Sequence, residues 1–596
     1  MKIEKLKTNH IVNPLGYRMQ NISLSWVVTE AAGNYAVKTR VQIATDAALT
    51  NLVHDSGERG DISSVDYAPE FALQPGTRYY WQVQVWDDAG DYGTSDITWF
   101  EPAVEMKAAH WIKAPFAENI QPLMRKTVIL DREVTRARLY ICGLGVYEAY
   151  VNGEKIGDEH LAPYYNDYNL WLQYQTYDVT AQLQKGENCL GVMLGNGWYK
   201  GRFGYIEHLD KLYGTVCHMI CELHLTFADG SEQIIPSDES WQCAPSPVLE
   251  SSIYDGEVWD SRRKIPHWNT VDYAGSDFVP AVLCEENSAL LTPRMSLPVK
   301  IMERVKPVEL IHTTAYELVI DFGQEVTGWV EFRCAEHADT EIMLQYGEIL
   351  QQGKFYNDNL RTAKAEYHYI ADGKETWVRP HFTFYGFRYV KVSGMREVNL
   401  ADFVACVLYS EMERTPAINI HRSPLCGRNF EYYSEDPLVA GKLASAMVQG
   451  IQSQNISACV KHFCCNNKET NRKGSDSRLS ERALREIYLK AFQIVVREAK
   501  VWAVMTAYNQ MNGTYTSENK ELLQGILRGE WGFDGLVVTD WDNWAEQYRE
   551  ILAGNNVRMP FGSPKRLQKA YEQGVITADD LRNNLHKLLE FMLKLD

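Results

Sequence analysis

The sequence predicts several all-β domains followed by an α/β domain. Its 596 residues correspond to about four ordinary domains, and a hydrophobic content of 45% indicates buried cores rather than a disordered chain. From Met1 to about Ser410 the apolar residues alternate with period two, which is typical of strands. After Thr415 they recur at spacings of three and four, which is typical of helices packed on a sheet. We therefore predict a change of fold class at residues 411–416.

The period-two segments end at recognisable turns. Residues 81–86 alternate between apolar and polar and are followed by the turn Asp87–Gly90. Residues 147–151 precede Asn152-Gly153, a pair that favours a type I′ hairpin because both central positions of that turn need positive φ. Long helical periodicity is missing from this part of the chain, so we predict consecutive β-sandwiches.

The last third combines amphipathic helices with short apolar strands. Ser480 is predicted to cap a helix whose apolar stripe extends from Leu484 to Val495. Thr577 is predicted to cap a second helix, with Asp580 three residues later. The apolar strands are predicted at residues 457–460, 501–505 and 536–538. Strands that are buried on both faces and alternate with helices indicate a parallel sheet of β/α units.

Charge and hydropathy exclude several classes of function. The net charge of −18 repels phosphate backbones, so we expect no nucleic-acid partner. No apolar run approaches the about 18 residues of a membrane span, and Met1–Lys7 has no signal-peptide core, so we expect no membrane association and no export. The 12 cysteines follow no regular framework, which favours reduced thiols in the cytoplasm. His462, Cys464 and Cys465 are too closely spaced for structural zinc, and we predict neither a metal nor a cofactor.

Ordered motifs in the first two thirds resemble known β-domains. Residues 1–103 are similar to a fibronectin type III-like domain through the segment Leu73–Trp81. Residues 104–300 and 301–413 resemble the N-terminal sandwich and the following β-sandwich of bacterial α-L-rhamnosidases, glycoside hydrolase family 78. The motifs behind this second resemblance are Tyr150–Gly153, Tyr174–Thr180, Leu194–Tyr199, Ile253–Glu257, Asp321–Gln324 and His381–Tyr389.

The resemblance to rhamnosidases implies sugar binding rather than catalysis. In that family the catalytic residues lie in a helical barrel after the sandwiches, and nothing beyond Ser410 resembles that barrel. The loop Asn196–Tyr199 could present Trp198 to a sugar, although a buried turn tryptophan explains it better. Asp255 and Glu257 are weak candidates for calcium ligands because no loop template accompanies them.

Residues 416–596 resemble the catalytic barrel of family 3 glycoside hydrolases, the β-glucosidase family. The motifs, in the order of the family, are Asn419–Glu431, Lys461–Phe463 with Asn466–Glu469 and Arg472, Thr506–Asn509, Trp531–Trp541, and Ala553–Asn555 with Met559-Pro560. The resemblance implies a partial α/β barrel of the TIM type, shorter than the about 250 residues of eight β/α units. His462, Tyr508 and Asp540 each follow a predicted strand, and the carboxyl ends of barrel strands share the face that carries the chemistry.

The same resemblance implies roles for residues at this face. Asp540 would be the nucleophile that forms a glycosyl-enzyme intermediate, because cationic neighbours keep such a carboxylate ionised. Tyr508 would lie near the nucleophile, and Trp541 would line the same pocket. The hydroxyls of the sugar before the cleaved bond would be bound by Arg428, Lys461, His462 and Arg472. The alternative is that Asp540 is an acidic helix cap after a strand.

The chain thus resembles two partial glycosidases joined near Thr415, as a fused reading frame would produce. A retaining glycosidase needs an acid/base carboxyl about 5 Å from the nucleophile, and the sequence identifies none. Three hypotheses stay open: a β-glucosidase-type hydrolase of glycosides or oligosaccharides that acts through Asp540, an α-L-rhamnosidase-like protein, and a non-catalytic carbohydrate-binding fusion. A partial barrel would also expose sheet edges that invite aggregation or completion by another chain.

Overall fold

The computed structural model describes residues 1–202, 209–286, 288–411, 427–428, 431–453 and 456–595. The chain divides into two compact units, Met1–Met412 and Glu413–Asp596, which we call the first and the second unit. We predicted the change of fold class at residues 411–416, and residues 412–416, including Thr415, lie outside the described residues. Most residues of the motif Asn419–Glu431 also lie outside them. Strands predominate in the first unit, as predicted, and helices are frequent in the second.

The first sandwich begins near the N-terminus. Its strands are β1 Lys2–Thr8, β2 Leu15–Tyr17, β3 Leu24–Thr29, β4 Ala36–Ala44, β5 Leu52–Asp55, β6 Tyr79–Asp87, β7 Tyr92–Thr94 and β8 Thr98–Pro102. One sheet has the order β2-β8-β6-β4-β5 with β7 beside β6, and β1 pairs with β3 in another. The core includes Trp26, Trp81 and Phe100. β6 buries every second residue, as its period predicts, and the chain turns at Gly90, where φ is 83°.

The rest of the first unit is also built from strands. They are β9 Ile112–Lys113, β10 Pro122–Leu130, β11 Val134–Leu144, β12 Val146–Val151, β13 Glu154–Lys155, β14 Leu172–Asp178, β15 Gly186–Gly195, β16 His218–Phe227, β17 Glu232–Pro236, β18 Gln242–Pro245, β19 Val248–Ser252, β20 Gly256–Asp260, β21 Val279–Pro280, β22 Val282–Leu283, β23 Leu291–Pro293, β24 Val299–Val305, β25 Glu309–His312, β26 Leu318–Cys334, β27 Glu341–Gly347, β28 Ile349–Gln351, β29 Lys354–Tyr356, β30 Glu366–Ile370, β31 Thr376–Val378, β32 Tyr385–Ser393 and β33 Phe403–Ser410. A short helix, α1 Gly197–Lys200, follows β15.

These strands form a second sandwich and a large third sheet. The second sandwich has one sheet of order β13-β12-β15-β10-β18-β21 and one of order β22-β9-β16-β11-β14-β23, with β17 beside β16. The third sheet has the order β19-β20-β30-β27-β32-β26-β33-β24, with β25 and β31 paired to β26. β20 lies before residue 300 and pairs in parallel with β30, which lies after it. The two regions predicted as 104–300 and 301–413 therefore share a sheet.

The predicted Asn-Gly hairpin is present between β12 and β13. Asn152 has a φ of 50° and Gly153 a φ of 91°, so both central positions have the positive φ that a type I′ turn needs. Val151 pairs with Glu154 across the turn. The local sequence signal is thereby confirmed.

A buried ion pair joins distant segments of the first unit. Arg294 follows β23, and its Nη2 lies 2.9 Å from Oε2 of Glu159. The two side chains are 7% and 4% exposed. The hydroxyl of Tyr164 donates to Glu159, and the guanidinium of Arg294 lies 5.0 Å from the ring centroid of Tyr17 in the first sandwich. Because both charges are removed from water, each depends on the other for compensation.

The second unit contains a parallel sheet with helices. Its strands are β34 Cys459–Phe463, β35 Asp476–Ser477, β36 Ala503–Thr506, β37 Gln510–Met511, β38 Thr514–Tyr515 and β39 Leu536–Thr539. Its α-helices are α2 Pro437–Gln452, α3 Glu481–Ala483, α4 Lys490–Ile494, α5 Gln547–Ala553, α6 Pro564–Glu572 and α7 Ala578–Leu595. Wider π-helical turns occupy Leu484–Tyr488, Val495–Ala499 and Glu521–Glu530. β34, β36 and β39 are adjacent and parallel, and the partial TIM-type barrel stays a prediction.

Both predicted helix caps are present. The Ser480 hydroxyl accepts the backbone N–H of Ala483 at 3.2 Å, at the start of the helical segment formed by α3, α4 and their π-helical turns. Thr577 and Asp580 exchange bonds as in a capping box: Asp580 accepts the backbone N–H of Thr577 at 2.8 Å, and the Thr577 hydroxyl accepts that of Asp580 at 3.2 Å. Across the described residues, no helix combines the length and the apolar character needed to cross a membrane.

Candidate active site

Three predicted site residues lie at the ends of neighbouring strands. His462 belongs to the last part of β34, Tyr508 follows β36, and Asp540 directly follows β39. Because these strands are parallel and adjacent, their carboxyl ends lie along one edge of the sheet. The structure therefore brings the three residues to the same edge, where ligands bind in α/β proteins.

Asp540 is a nearly buried carboxylate, with 8% of the residue exposed. Its Oδ1 accepts the backbone N–H of Trp541 at 2.7 Å, and Nε2 of His462 lies 3.4 Å from its Oδ2. The next helix, α5, has Glu546 at its N-cap position. Within the part of the chain that the structure describes, Asp540 therefore does not cap a helix.

His462 is a neutral neighbour of this carboxylate. Burial, followed by the positive charge of Arg428, lowers the pKa of His462 to about 3. The imidazole is therefore neutral near pH 7 and carries one N–H. The Tyr432 hydroxyl lies 3.0 Å from Nδ1 and can donate to it, so we assign the N–H to Nε2, which faces Asp540. Tyr432 was missed by the sequence analysis, and its only signal is its place directly after the motif that ends at Glu431.

The stability of the second unit is expected to decrease in acid because of His462. In the unfolded chain this imidazole takes up a proton near pH 6.5, about its unperturbed pKa, but in the folded chain only near pH 3. Between these values the unfolded chain binds more protons, so stability is complete above pH 6.5 and decreases as the pH falls. The thermal unfolding temperature of His462→Gln should therefore decrease less from pH 6.5 to pH 4 than that of the wild type.

The control variant is His586→Gln, which replaces a histidine whose side chain is 70% exposed. Its acid sensitivity should match that of the wild type. If His462→Gln lost as much stability in acid as the wild type, His462 would not be the cause of the acid sensitivity.

The predicted sugar-binding cations are connected through two glutamates. Arg428 is ion-paired with Glu431 and lies 3.8 Å from Glu469. Arg472 binds Glu469 at 2.7 Å, and Lys461 lies 3.5 Å from Glu431. The structure therefore brings these three cations together around carboxylates to which the sequence analysis assigned no role. Both glutamates lie in the motifs that resemble family 3, which is the signal that could have identified them.

Tyr508 and Trp541 differ in their surroundings. Tyr508 is 3% exposed, and burial together with the charge of Asp540 raises the pKa of its hydroxyl to about 12. The hydroxyl therefore stays protonated, and the guanidinium of Arg472 lies 4.3 Å from the centroid of the ring. Trp541 is 49% exposed and offers its indole at the surface beside the nucleophile candidate. Its predicted place in the lining of a sugar pocket stays a prediction.

A cavity of about 350 Å³ lies beside β34. Its polar lining residues include Glu431, Tyr432, Lys461, His462, Asn466 and Asn467. Apolar walls are supplied by α2, with Met447, Val448 and Ile451, and by the helical segment after Ser480, with Ile487 and Phe492. The lining of the cavity thus includes two of the predicted sugar-binding residues, Lys461 and His462.

The weaker candidates in the first unit have structural contacts. Trp198 is partly buried and packs against two apolar cores, in agreement with its interpretation as a turn residue of the core. Asp255 accepts a hydrogen bond from Nε of Arg202 at 2.9 Å. Glu257 is buried and accepts the backbone N–H of Phe382 at 2.8 Å. Both carboxylates therefore serve contacts inside the protein.

Family models match successive parts of the chain. Residues 3–104 match the Rha78A-like N-terminal immunoglobulin domain, so the first sandwich is immunoglobulin-like. Residues 132–303 match the α-L-rhamnosidase N-terminal domain, and residues 311–409 match the bacterial α-L-rhamnosidase concanavalin-like domain. Residues 408–590 match the glycosyl hydrolase family 3 N-terminal domain.

Individual relatives show the same division. Beta-glucosidase A of Butyrivibrio fibrisolvens is 56% identical over 192 residues, which are 32% of this chain and 22% of that protein. An α-L-rhamnosidase of Formosa agariphila is 27% identical over 460 residues, covering 68% of this chain and 48% of the relative. The solved α-L-rhamnosidase of Dictyoglumus thermophilum is 30% identical, with a TM-score of 0.61, and the match covers 69% of this chain and 49% of that one. The chain thus spans about half, or less, of the length of these relatives.

The resemblances to α-L-rhamnosidases and to family 3 glycoside hydrolases are confirmed by these matches. The rhamnosidase-like models end where the family 3 model begins, near residue 408. The chain therefore combines β-domains similar to those of α-L-rhamnosidases with a domain similar to the N-terminal domain of family 3 glycoside hydrolases.

Proposed function

We propose that the second unit is a glycoside hydrolase of the retaining β-glucosidase type, with Asp540 as its nucleophile and a glycoside or oligosaccharide as its substrate. The observation that carries this proposal is the meeting of Asp540, neutral His462 and Tyr508 at the carboxyl ends of three adjacent parallel strands. The 56% identity to beta-glucosidase A over 192 residues supports it.

In the proposed reaction, Oδ2 of Asp540 attacks the anomeric carbon and the bond to the aglycone breaks. Oδ1 is held by the backbone N–H of Trp541, and the Nε2–H of His462 faces Oδ2, so the carboxylate is oriented before the substrate binds. The resulting ester is then hydrolysed by water, which restores the carboxylate. The sugar hydroxyls are bound by Arg428, Lys461, His462 and Arg472. Trp541 stacks on the sugar from the exposed side.

We propose that the acid/base of this reaction lies outside the described residues. It must be a carboxyl about 5 Å from Asp540. Glu431 and Glu469 are near the site, but both are already occupied in ion pairs with Arg428 and Arg472. We infer that the three parallel strands are part of a TIM-type barrel, and that the segment which completes it, in this protein or in a partner, also supplies the acid/base.

The proposal is tested with two substrates. Purified chain is assayed with 2,4-dinitrophenyl β-D-glucoside and 2,4-dinitrophenyl α-L-rhamnoside, whose leaving group needs no acid, beside the variant Asp540→Asn. Hydrolysis of the glucoside that disappears in the variant supports the proposal. Cleavage of the rhamnoside at the same rate in both proteins would instead favour α-L-rhamnosidase activity.

A second candidate function is carbohydrate binding by the first unit. A polar cleft of about 680 Å³ is lined by Asn196, Lys200, Asp255, Glu366 and His368. The similarity to the β-domains of α-L-rhamnosidases makes L-rhamnose the first ligand to test. Titration calorimetry should detect binding that His368→Ala weakens, and that Asp540→Asn and the control His337→Ala leave unchanged. Equal binding by the His368 variant would contradict this candidate.

We also propose that the protein is cytoplasmic. The eleven described cysteines are free thiols, which supports a reducing compartment. Labelling of Cys459, the exposed thiol among them, in intact cells and in lysates would test the proposal, since a cytoplasmic thiol reacts with an impermeant reagent only after lysis.

A further inference from the structure

Three sulfur atoms form a cluster next to β34 that the proposed hydrolysis does not use. Sγ of Cys464 lies 3.5 Å from Sγ of Cys465 and 3.8 Å from Sδ of Met511. The three residues are 0%, 5% and 6% exposed. Both cysteines are free thiols.

Two further observations distinguish this cluster from ordinary core packing. Cys465 lines the cavity of about 350 Å³ beside β34. Cys465 also has a φ of 64°, in the left-handed region that a non-glycine residue seldom adopts. Strained backbone of this kind is concentrated at binding and catalytic sites.

We propose that Cys464, Cys465 and Met511 form a binding site for a soft monovalent metal ion of the Cu(I) class. Thiolate and thioether sulfur select Cu(I) over hard ions such as Mg²⁺. Three sulfurs around an ion at the about 2.3 Å of a metal–thiolate bond are about 4.0 Å apart. The separations of 3.5 Å between Cys464 and Cys465 and of 3.8 Å between Cys464 and Met511 need to widen only slightly to admit an ion.

Protons must leave the thiols when the ion binds. The metal forms its bonds to the thiolates and the displaced protons go to solvent. Affinity should therefore increase with pH over the neutral range.

The test is a titration of the full chain with Cu(I), without oxygen and against a chromophoric Cu(I) chelator. Cys464→Ser and Cys465→Ser should each lose more than about 100-fold in affinity, since even residues behind the ligands contribute about 10–100-fold in known metal sites. Met511→Leu should lose less affinity for Cu(I). Because leucine and methionine have similar volumes, this variant should fold even if a serine variant does not, and the test then remains valid. The matched control is Cys459→Ser, which removes an exposed thiol from β34.

The expected result is wild-type affinity in the Cys459 variant and weakened binding in all three others, with only sulfur neighbours in the X-ray absorption spectrum of bound copper. Wild-type affinity in Met511→Leu or in either serine variant of the cluster would overturn the proposal. Nitrogen or oxygen neighbours in the spectrum would overturn it as well. None of these measurements requires hydrolytic activity, so the outcome does not depend on the proposed function.

Discussion

Replacing Asp540 by asparagine is expected to abolish dinitrophenolate release from 2,4-dinitrophenyl β-D-glucoside. Dinitrophenolate is a weak base and leaves without a proton, so the first step needs the nucleophile but not the acid/base. The wild-type chain should therefore release about one equivalent of dinitrophenolate as the glycosyl-enzyme forms. The amide is a poor nucleophile, and we expect the rate to fall by at least about 1,000-fold, as in other enzymes that lose their covalent nucleophile. Stopped-flow absorbance measures this release directly.

Asp534→Asn is the matched control for this experiment. Asp534 is exposed and precedes β39, the strand that Asp540 follows. Its replacement by asparagine is the same chemical change. Its release of dinitrophenolate should match the wild type. Added azide should restore product formation to the Asp540 variant, because it replaces the missing carboxylate as nucleophile. Equal rates in the two variants would show that Asp540 is not the nucleophile.

Replacing Arg294 by methionine is expected to lower the free energy of unfolding of the first unit by about 3–5 kcal/mol. The change leaves the Glu159 carboxylate buried, with an exposed fraction of 4%, and without its cation. Urea unfolding followed by tryptophan fluorescence measures the loss. The double variant Arg294→Met with Glu159→Leu should recover most of it, because no charge is then left uncompensated.

Arg59→Met provides the comparison for this prediction. Arg59 is paired with Asp61 in the same unit, but the two side chains are 54% and 67% exposed. Because water screens such a pair, its loss should change the free energy of unfolding by less than about 1 kcal/mol. Similar losses in the Arg59 and Arg294 variants would contradict the importance given to the buried pair.

Local features of the fold were predictable from the sequence because they depend on neighbouring residues. Asn152-Gly153 forms its hairpin, and Ser480 caps its helix, through contacts within a few residues of the chain. The alignment of His462, Tyr508 and Asp540 was also predictable, since the ends of adjacent parallel strands lie at one edge. The pattern of apolar residues was sufficient for these conclusions.

Pairings between distant segments were not predictable in this way. β20 joins β30 across more than a hundred residues, and the period-two pattern of a strand does not specify its partner. The contact of Tyr432 with His462 likewise requires knowledge of how the chain returns to β34. The sulfur cluster was considered only for zinc, because the sequence does not show that Met511 lies beside Cys464. The acid/base was not predictable either, since no local pattern in this sequence marks such a carboxyl.

The central claim is that Asp540 forms a covalent bond to the sugar, and mass spectrometry of a trapped intermediate tests it most directly. The chain is incubated with a 2-deoxy-2-fluoro-β-glucoside that carries a dinitrophenyl leaving group, which slows hydrolysis of the ester. The account predicts that the intact chain gains the mass of one fluoroglucosyl group, and that after digestion the label lies on Asp540. A chain that gains no mass, or a label on any other residue, would contradict the account.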